Sequence, residues 1–185
     1  MLYAPPALAR PGELIISPWS YQSIGQMLRA IALGSASQDY ITANLVVYVP
    51  FWLPGSVTFT KLWWSNGAAV AGNYDVGIYA LDGTLLVSSG STAAAGTSAV
   101  QTVDITDTTC GRGSYYLAIV SDTSGATQKI TAALPAAGIA QSFGLLQQAG
   151  VTLPLATNAS PAIFVKYTSA FIPLFGAQGY RTIGP

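Results

Sequence analysis

The chain has no histidine, one cysteine, and only seven basic and seven acidic residues among 185. Each scarcity removes a class of chemistry. Without imidazole there is no histidine general base and no histidine metal ligand. A single Cys110 excludes an intrachain disulfide and any multi-cysteine zinc or iron–sulfur site. The seven basic residues are scattered, with no Lys/Arg-rich run, so a nucleic-acid backbone is not an expected partner. Charged residues make up 8% of the chain, against about 25% in ordinary soluble domains. A free monomer so poor in charge tends to self-associate, and much of the surface is therefore expected to be covered by partners.

What the chain has instead is apolar and aromatic sequence broken by proline and glycine. The most aromatic such stretch is "LVVYVPFWLPGSVTFTKLWW", residues 45 to 64, which holds three of the four tryptophans. Pro50, Pro54 and Gly55 interrupt any helix that could cross a membrane, and the flanking residues alternate as strands do. The expectation is two strands joined across "PFWLPG", one face packed in a core and the other an assembly surface, with no membrane insertion. In "SVTFTKLWW", Val57, Phe59 and Lys61 are expected on one face and Thr58, Thr60 and Leu62 on the other.

Residues 1–17 carry Pro5, Pro6, Pro11 and Gly12 and read as an extended arm. Leu2, Tyr3, Pro5, Pro6 and Leu8 are its expected contact residues. "SPWSYQSIGQMLRAIALG" reads as one short helix, capped by Ser17, opened by Pro18 and stopped by Gly34. Ile24, Met27, Leu28 and Ile31 form its apolar stripe. The expected division is an arm and docking helix over 1–40, then a β-domain over 41–185 with an uncharged excursion at about 134–160.

Strands are expected at 44–49, 56–64, 73–81, 84–89, 98–105, 114–121, 126–133 and 161–168, all rich in Val, Ile, Thr and aromatics. Asp82-Gly83, between two apolar runs, predicts a two-residue hairpin turn. Eight short strands without alternating helices predict an all-β fold, an antiparallel two-sheet sandwich of jelly-roll-like form.

Carboxylates are the remaining acid/base groups: Glu13, Asp39, Asp75, Asp82, Asp104, Asp107 and Asp122. A glycosidase needs two of them across a cleft, and Asp75 with Asp104, both on predicted strands, is the one candidate pair. Calcium would call on aspartates and carbonyls, but no dense ligand run is present. Cys110 lacks an activating partner in sequence and reads as a buried thiol. No cofactor and no enzymatic activity are expected. "NAS" at 158–160 matches a glycosylation sequon, yet Pro161 follows it and the N-terminus lacks the pattern of a secretory signal.

Recognition is expected to fall to aromatic residues instead: Trp19, Trp52, Trp63, Trp64 and Tyr74 as interface or glycan contacts, with Tyr79, Tyr115 and Tyr116 as further candidates. Alternation buries about half of such a set, and adjacent Trp63 and Trp64 must point to opposite faces of a strand.

Residues 57–122, "VTFTKLWWSNGAAVAGNYDVGIYALDGTLLVSSGSTAAAGTSAVQTVDITDTTCGRGSYYLAIVSD", resemble a sandwich module of tailed-bacteriophage virion proteins. The shared pattern is "VGIYALDG" at 76–83, a return strand at 85–89, a Gly/Ser/Ala loop, and "GSYYLAI" at 113–119. The resemblance implies a non-enzymatic structural protein of the virion, at the tail tip or baseplate, made in the host cytoplasm. Its implied partners are other virion proteins, copies of itself, and a host-surface glycan or protein. A capsid decoration protein and a carbohydrate-binding module are the alternatives it leaves open.

Overall fold

The computed structural model of the protein describes residues 13–16, 37–39, 42–130, 144–158, 165–166 and 173–181. Within them the fold is all-β, two antiparallel sheets packed as a sandwich. The predicted helix at 17–34, Trp19, and the arm residues Leu2, Tyr3, Pro5, Pro6 and Leu8 lie outside the described residues.

The first sheet has the order β1 (Glu13–Ile16), β13 (Phe175–Arg181), β4 (Val57–Ser65) and β8 (Val100–Cys110). The second runs β12 (Val165–Lys166), β11 (Leu146–Ala149), β3 (Leu45–Leu53), β9 (Gly113–Ser121), β5 (Asn73–Ala80) and β6 (Leu85–Ser88), with β7 (Thr92–Ala93) also paired to β5. A separate pair joins β2 (Ser37–Asp39) to β10 (Thr127–Lys129). Two pieces assigned by sequence to the arm and helix region, 13–16 and 37–39, are therefore strands paired with the β-domain. A boundary at residue 40 does not separate them from it.

The organising feature is one long ribbon folded over. Residues 47–53 pair with 119–113 in the second sheet, and 57–65 pair with 110–100 in the first, in nearly continuous antiparallel register. Both chains of the ribbon bend at the same level, one through Pro54-Gly55-Ser56 and the other through Gly111-Arg112. Proline ends the ladder by lacking an N–H, and the small residues let the backbone turn sharply. The predicted break was too wide: Pro50, Phe51 and Trp52 remain inside β3, paired with Tyr116, Tyr115 and Ser114. Pro50 is tolerated because β11 ends opposite Tyr48, so on that side no described strand needs its missing donor.

Between the sheets lies the main core. Val47, Val49, Phe51 and Leu53 meet Val57, Phe59, Leu62 and Trp64, with Tyr74, Val76, Ile78, Leu117, Ile119 and Phe175 filling the middle. The side-chain phase of β4 departs from expectation. Val57 and Phe59 point inward, but so do Leu62 and Trp64, because the register slips between Phe59 and Lys61 against β8 and at the same level against β13. This bulge puts Lys61 outside rather than with Phe59, and turns Trp64 into the core and Trp63 away from it. Gly179 is the residue that allows it. A Cβ there would collide with the Thr58 carbonyl and sit 2.9 Å from the Phe59 Cα.

The outer face of the second sheet is buried as well. After β11 the chain turns at Gly150, and Val151, Leu153 and Leu155 cross that face, covering Val46, Tyr48, Tyr79, Ala118 and Val120. This crossing strap ends in a single helical turn, α1 (Leu155–Asn158). Of the uncharged segment at about 134–160, residues 144–158 are described, and the strap is their second half. The strap also explains why β3 is apolar nearly throughout: both of its faces are covered.

The β5–β6 turn is a three-residue loop, not the predicted two-residue one. Gly83 N–H donates to the Ala80 carbonyl and Ala80 N–H to the Thr84 carbonyl, with Gly83 at φ 88°. A two-residue type I′ turn needs positive φ at both centres, and Asp82 does not adopt it. The Asp82 carboxylate accepts the Thr84 N–H instead.

Candidate functional site

Asp75 stands on the outer face of β5 beneath the strap, fully buried. Its Oδ2 accepts the Leu155 N–H at 2.8 Å and the Ser88 hydroxyl at 3.2 Å, while Oδ1 accepts the Ser89 hydroxyl at 3.1 Å. Burial pushes its pKa above the ordinary carboxylate value against the pull of these donors. The next outward position on β5 is Gly77, where a Cβ would press on Leu155 and Leu85, so the strap seats closely on a bare patch of sheet. Asp75 is thus the clasp that fixes the strap.

Asp104 lies on the far side of the molecule, on the outer face of the first sheet, where it forms an ion pair with Lys61. The thickness of the sandwich separates it from Asp75. The candidate acid pair of the sequence does not exist as a pair, because the ribbon fold sends β5 and β8 into different sheets. Two other carboxylates are held locally. Asp122 takes the Asn73 backbone N–H at 2.8 Å and the Asn73 side-chain amide at 2.7 Å. Asp82 belongs to its turn, and the Thr84 N–H holds it below the ordinary range. Asp107 is exposed on the edge strand. Among the described residues, no three Cys, Asp or Glu side chains gather as a metal site, and no helix is long and apolar enough to cross a membrane.

Cys110 is 2% exposed at the end of β8, and burial lifts its thiol to about 11. Since the thiolate is the reactive species, a thiol reagent at pH 8 is expected to label Cys110 only after denaturation. Rapid labelling of the native protein would place the side chain elsewhere.

The four described aromatic candidates, Trp52, Trp63, Trp64 and Tyr74, divide cleanly. Trp64 and Tyr74 are fully buried and stacked on each other at 5.7 Å, so both are core residues and neither is a surface contact of this chain. The Trp64 indole N–H donates to Asn66 Oδ1 at 3.0 Å, and Asn66 in turn donates to the Ala95 carbonyl and to Gln101. Trp63 faces outward on the first sheet and is half-buried. Tyr79 is buried beside Tyr48, and Tyr115 stacks on Phe51. Tyr116 is half-buried on the outer face of the second sheet.

Trp52 is the exception, 41% exposed. It is held at the fold of the ribbon between buried Phe51 and Leu53, directly opposite Ser114. The Arg112 guanidinium lies over its ring, 5.7 Å from the centroid. The Tyr115 hydroxyl donates to the Gly111 carbonyl and braces the same turn. Arg112 and Ser114 were not singled out by sequence. Only the pairing of 53 with 113 brings "GRG" beside "FWL", and a register of that kind cannot be read from local pattern.

Comparison of the chain with protein-family models, with curated proteins and with solved structures finds no match.

Proposed function

We propose that this chain is a non-enzymatic structural component of a tailed-phage virion, placed at the tail tip or baseplate. There it assembles with other virion proteins and with copies of itself, and the sandwich meets neighbours or the host surface. The observation that supports the reading is the commitment of most of its described reactive groups. Asp75 clasps the strap, Asp82 and Asp122 hold turns, Asp104 pairs with Lys61, and Cys110 is buried. What is left for the surface of an 8%-charged chain is contact. The segment 57–122 that resembles phage virion proteins runs from β4 through β9 and includes the bend of the ribbon at Gly111-Arg112.

The test is direct. Mass spectrometry of gradient-purified particles from a lysate encoding this chain is expected to find it at constant copy number per particle, with gold-labelled antibody at the tail tip. Labelling on the head would convert the assignment to a capsid decoration protein. Absence from purified particles would end the virion reading.

A further inference from the structure

We propose that the seat of the strap is an interaction site between copies of this chain. It is a leucine-sized notch that holds the chain's own Leu155 at rest and takes the same leucine of a second copy on assembly. This deepens the self-assembly part of the reading above and rests on it.

The notch suits one kind of occupant. Its floor is the bare backbone of Gly77, where a Cβ would lie 3.0 Å from a Leu155 methyl and 3.1 Å from a Leu85 methyl. At one end Asp75 accepts the Leu155 N–H, and the hydroxyls of Ser88 and Ser89 hold its carboxyl in place. Ser88 stands directly across from Gly77 in the β5–β6 pair. Tyr79 closes the other end on the same sheet face. The occupant must therefore present a branched apolar side chain and its own backbone N–H together, which a leucine within a peptide does. A second copy carries the identical segment.

The resting arrangement is also one the strap can leave. The Tyr79 hydroxyl is buried beneath it with no hydrogen-bond partner among the described residues. Closure keeps that group dry, and opening returns it to water. The strap enters its path through Gly150 at φ 77°, a torsion that glycine adopts without strain. A Cβ there meets nothing within 4 Å, so packing does not lock the turn. Residues 150–164 leave the sheet after Ala149, which pairs with Leu45, and return at Val165, which pairs with Gln147. A loop of that length reaches about 20 Å from its base when extended, against about 10 Å between packed sheets.

Charge favours a second copy as the occupant. No charged residue lies between Lys129 and Lys166, so two straps approach each other without repulsion. Two copies meeting over their second sheets about a two-fold axis trade straps at once, and each seat stays filled.

Sedimentation of the full chain between about 10 µM and about 500 µM reads the contact, and a monomer–dimer equilibrium is expected in that range. Leu155→Ala is expected to weaken association at least about tenfold. Gly150→Val disfavours the resting turn without touching the notch and is expected to strengthen association at least about tenfold. An excess of a peptide spanning residues 150–158 is expected to dissociate the wild-type dimer, while the same peptide carrying Leu155→Ala is not. The peptide pair uses the wild-type chain, so a variant that fails to fold leaves the outcome readable. A wild type that stays monomeric, or a dimer indifferent to either substitution or to the peptide, overturns the contact. Particle composition decides the virion assignment separately, and a chain found in particles but monomeric here keeps that assignment and loses this contact.

Discussion

Trp64→Ala is expected to destabilise the fold by about 3–5 kcal/mol, the range for emptying a large aromatic site in a packed core. The indole fills the centre between the sheets, stacks on Tyr74, and saturates Asn66 through its N–H. Its loss leaves a cavity and removes the donor to the buried Asn66 oxygen at the head of the network reaching Ala95 and Gln101. Truncating a buried network member costs more than its contacts alone, because the remaining groups stay desolvated. The adjacent Trp63→Ala is expected to cost no more than about 1–2 kcal/mol, since that ring lies half-buried on the outer face. Urea unfolding of both variants measures the difference. Equal costs would mean that the bulge at Thr60 does not set the phase of β4 as described.

Asp75→Ala is expected to release the strap, with a cost of about 2–3 kcal/mol from the Leu155 N–H and the serine hydroxyls left without their acceptor. The effect is local first. Amides of residues 151–158 are expected to lose hydrogen-exchange protection while β3 and β9 keep theirs, because the strap joins the sheet through few groups. Asp75→Asn retains one acceptor oxygen and is expected to fall between wild type and alanine. The same variant isolates the pH dependence. The folded-state pKa of Asp75 is raised, so the folded chain holds this proton more tightly than the unfolded chain does. Its contribution is fully present below the ordinary carboxylate value near 3.8 and is lost as pH rises through the folded value. Asparagine at 75 is expected to remove that decline from the stability curve. A strap whose exchange is unchanged in the alanine variant would show that Val151 and Leu155 hold it without the clasp.

Residue type alone was enough for much of this fold. Alternating Val, Ile, Thr and aromatic residues mark β3 to β6, β8 and β9 to within about five positions, and the absence of alternating helices implies a sandwich. Proline and glycine located the bend at 54–56, although β3 runs closer to it than Pro50 suggested. The strands at 13–16, 37–39, 92–93, 146–149 and 175–181 were not foreseen. Those at 146–149 and 175–181 carry few β-branched residues or several glycines, and 13–16, 146–149 and 175–181 pair with other strands of the sandwich.

The candidate site was less legible. Five aromatics could be named, but their exposure depends on which face each residue takes. One inserted residue in β4 reverses that choice for everything after it.

Composition decided what this protein lacks the groups to do. No histidine excludes imidazole chemistry, and one cysteine excludes an internal disulfide. Those limits follow from residue counts and need no coordinates. Tertiary structure alone decided which groups meet. It placed Asp75 and Asp104 on opposite outer faces, sealed Trp64 and Tyr74 in the core, and set Arg112 and Ser114 beside Trp52. The physical reason is that the ribbon folds back on itself. Contacts across that fold join residues about sixty positions apart in the chain, and such a pairing is fixed by packing and register, which no local pattern encodes.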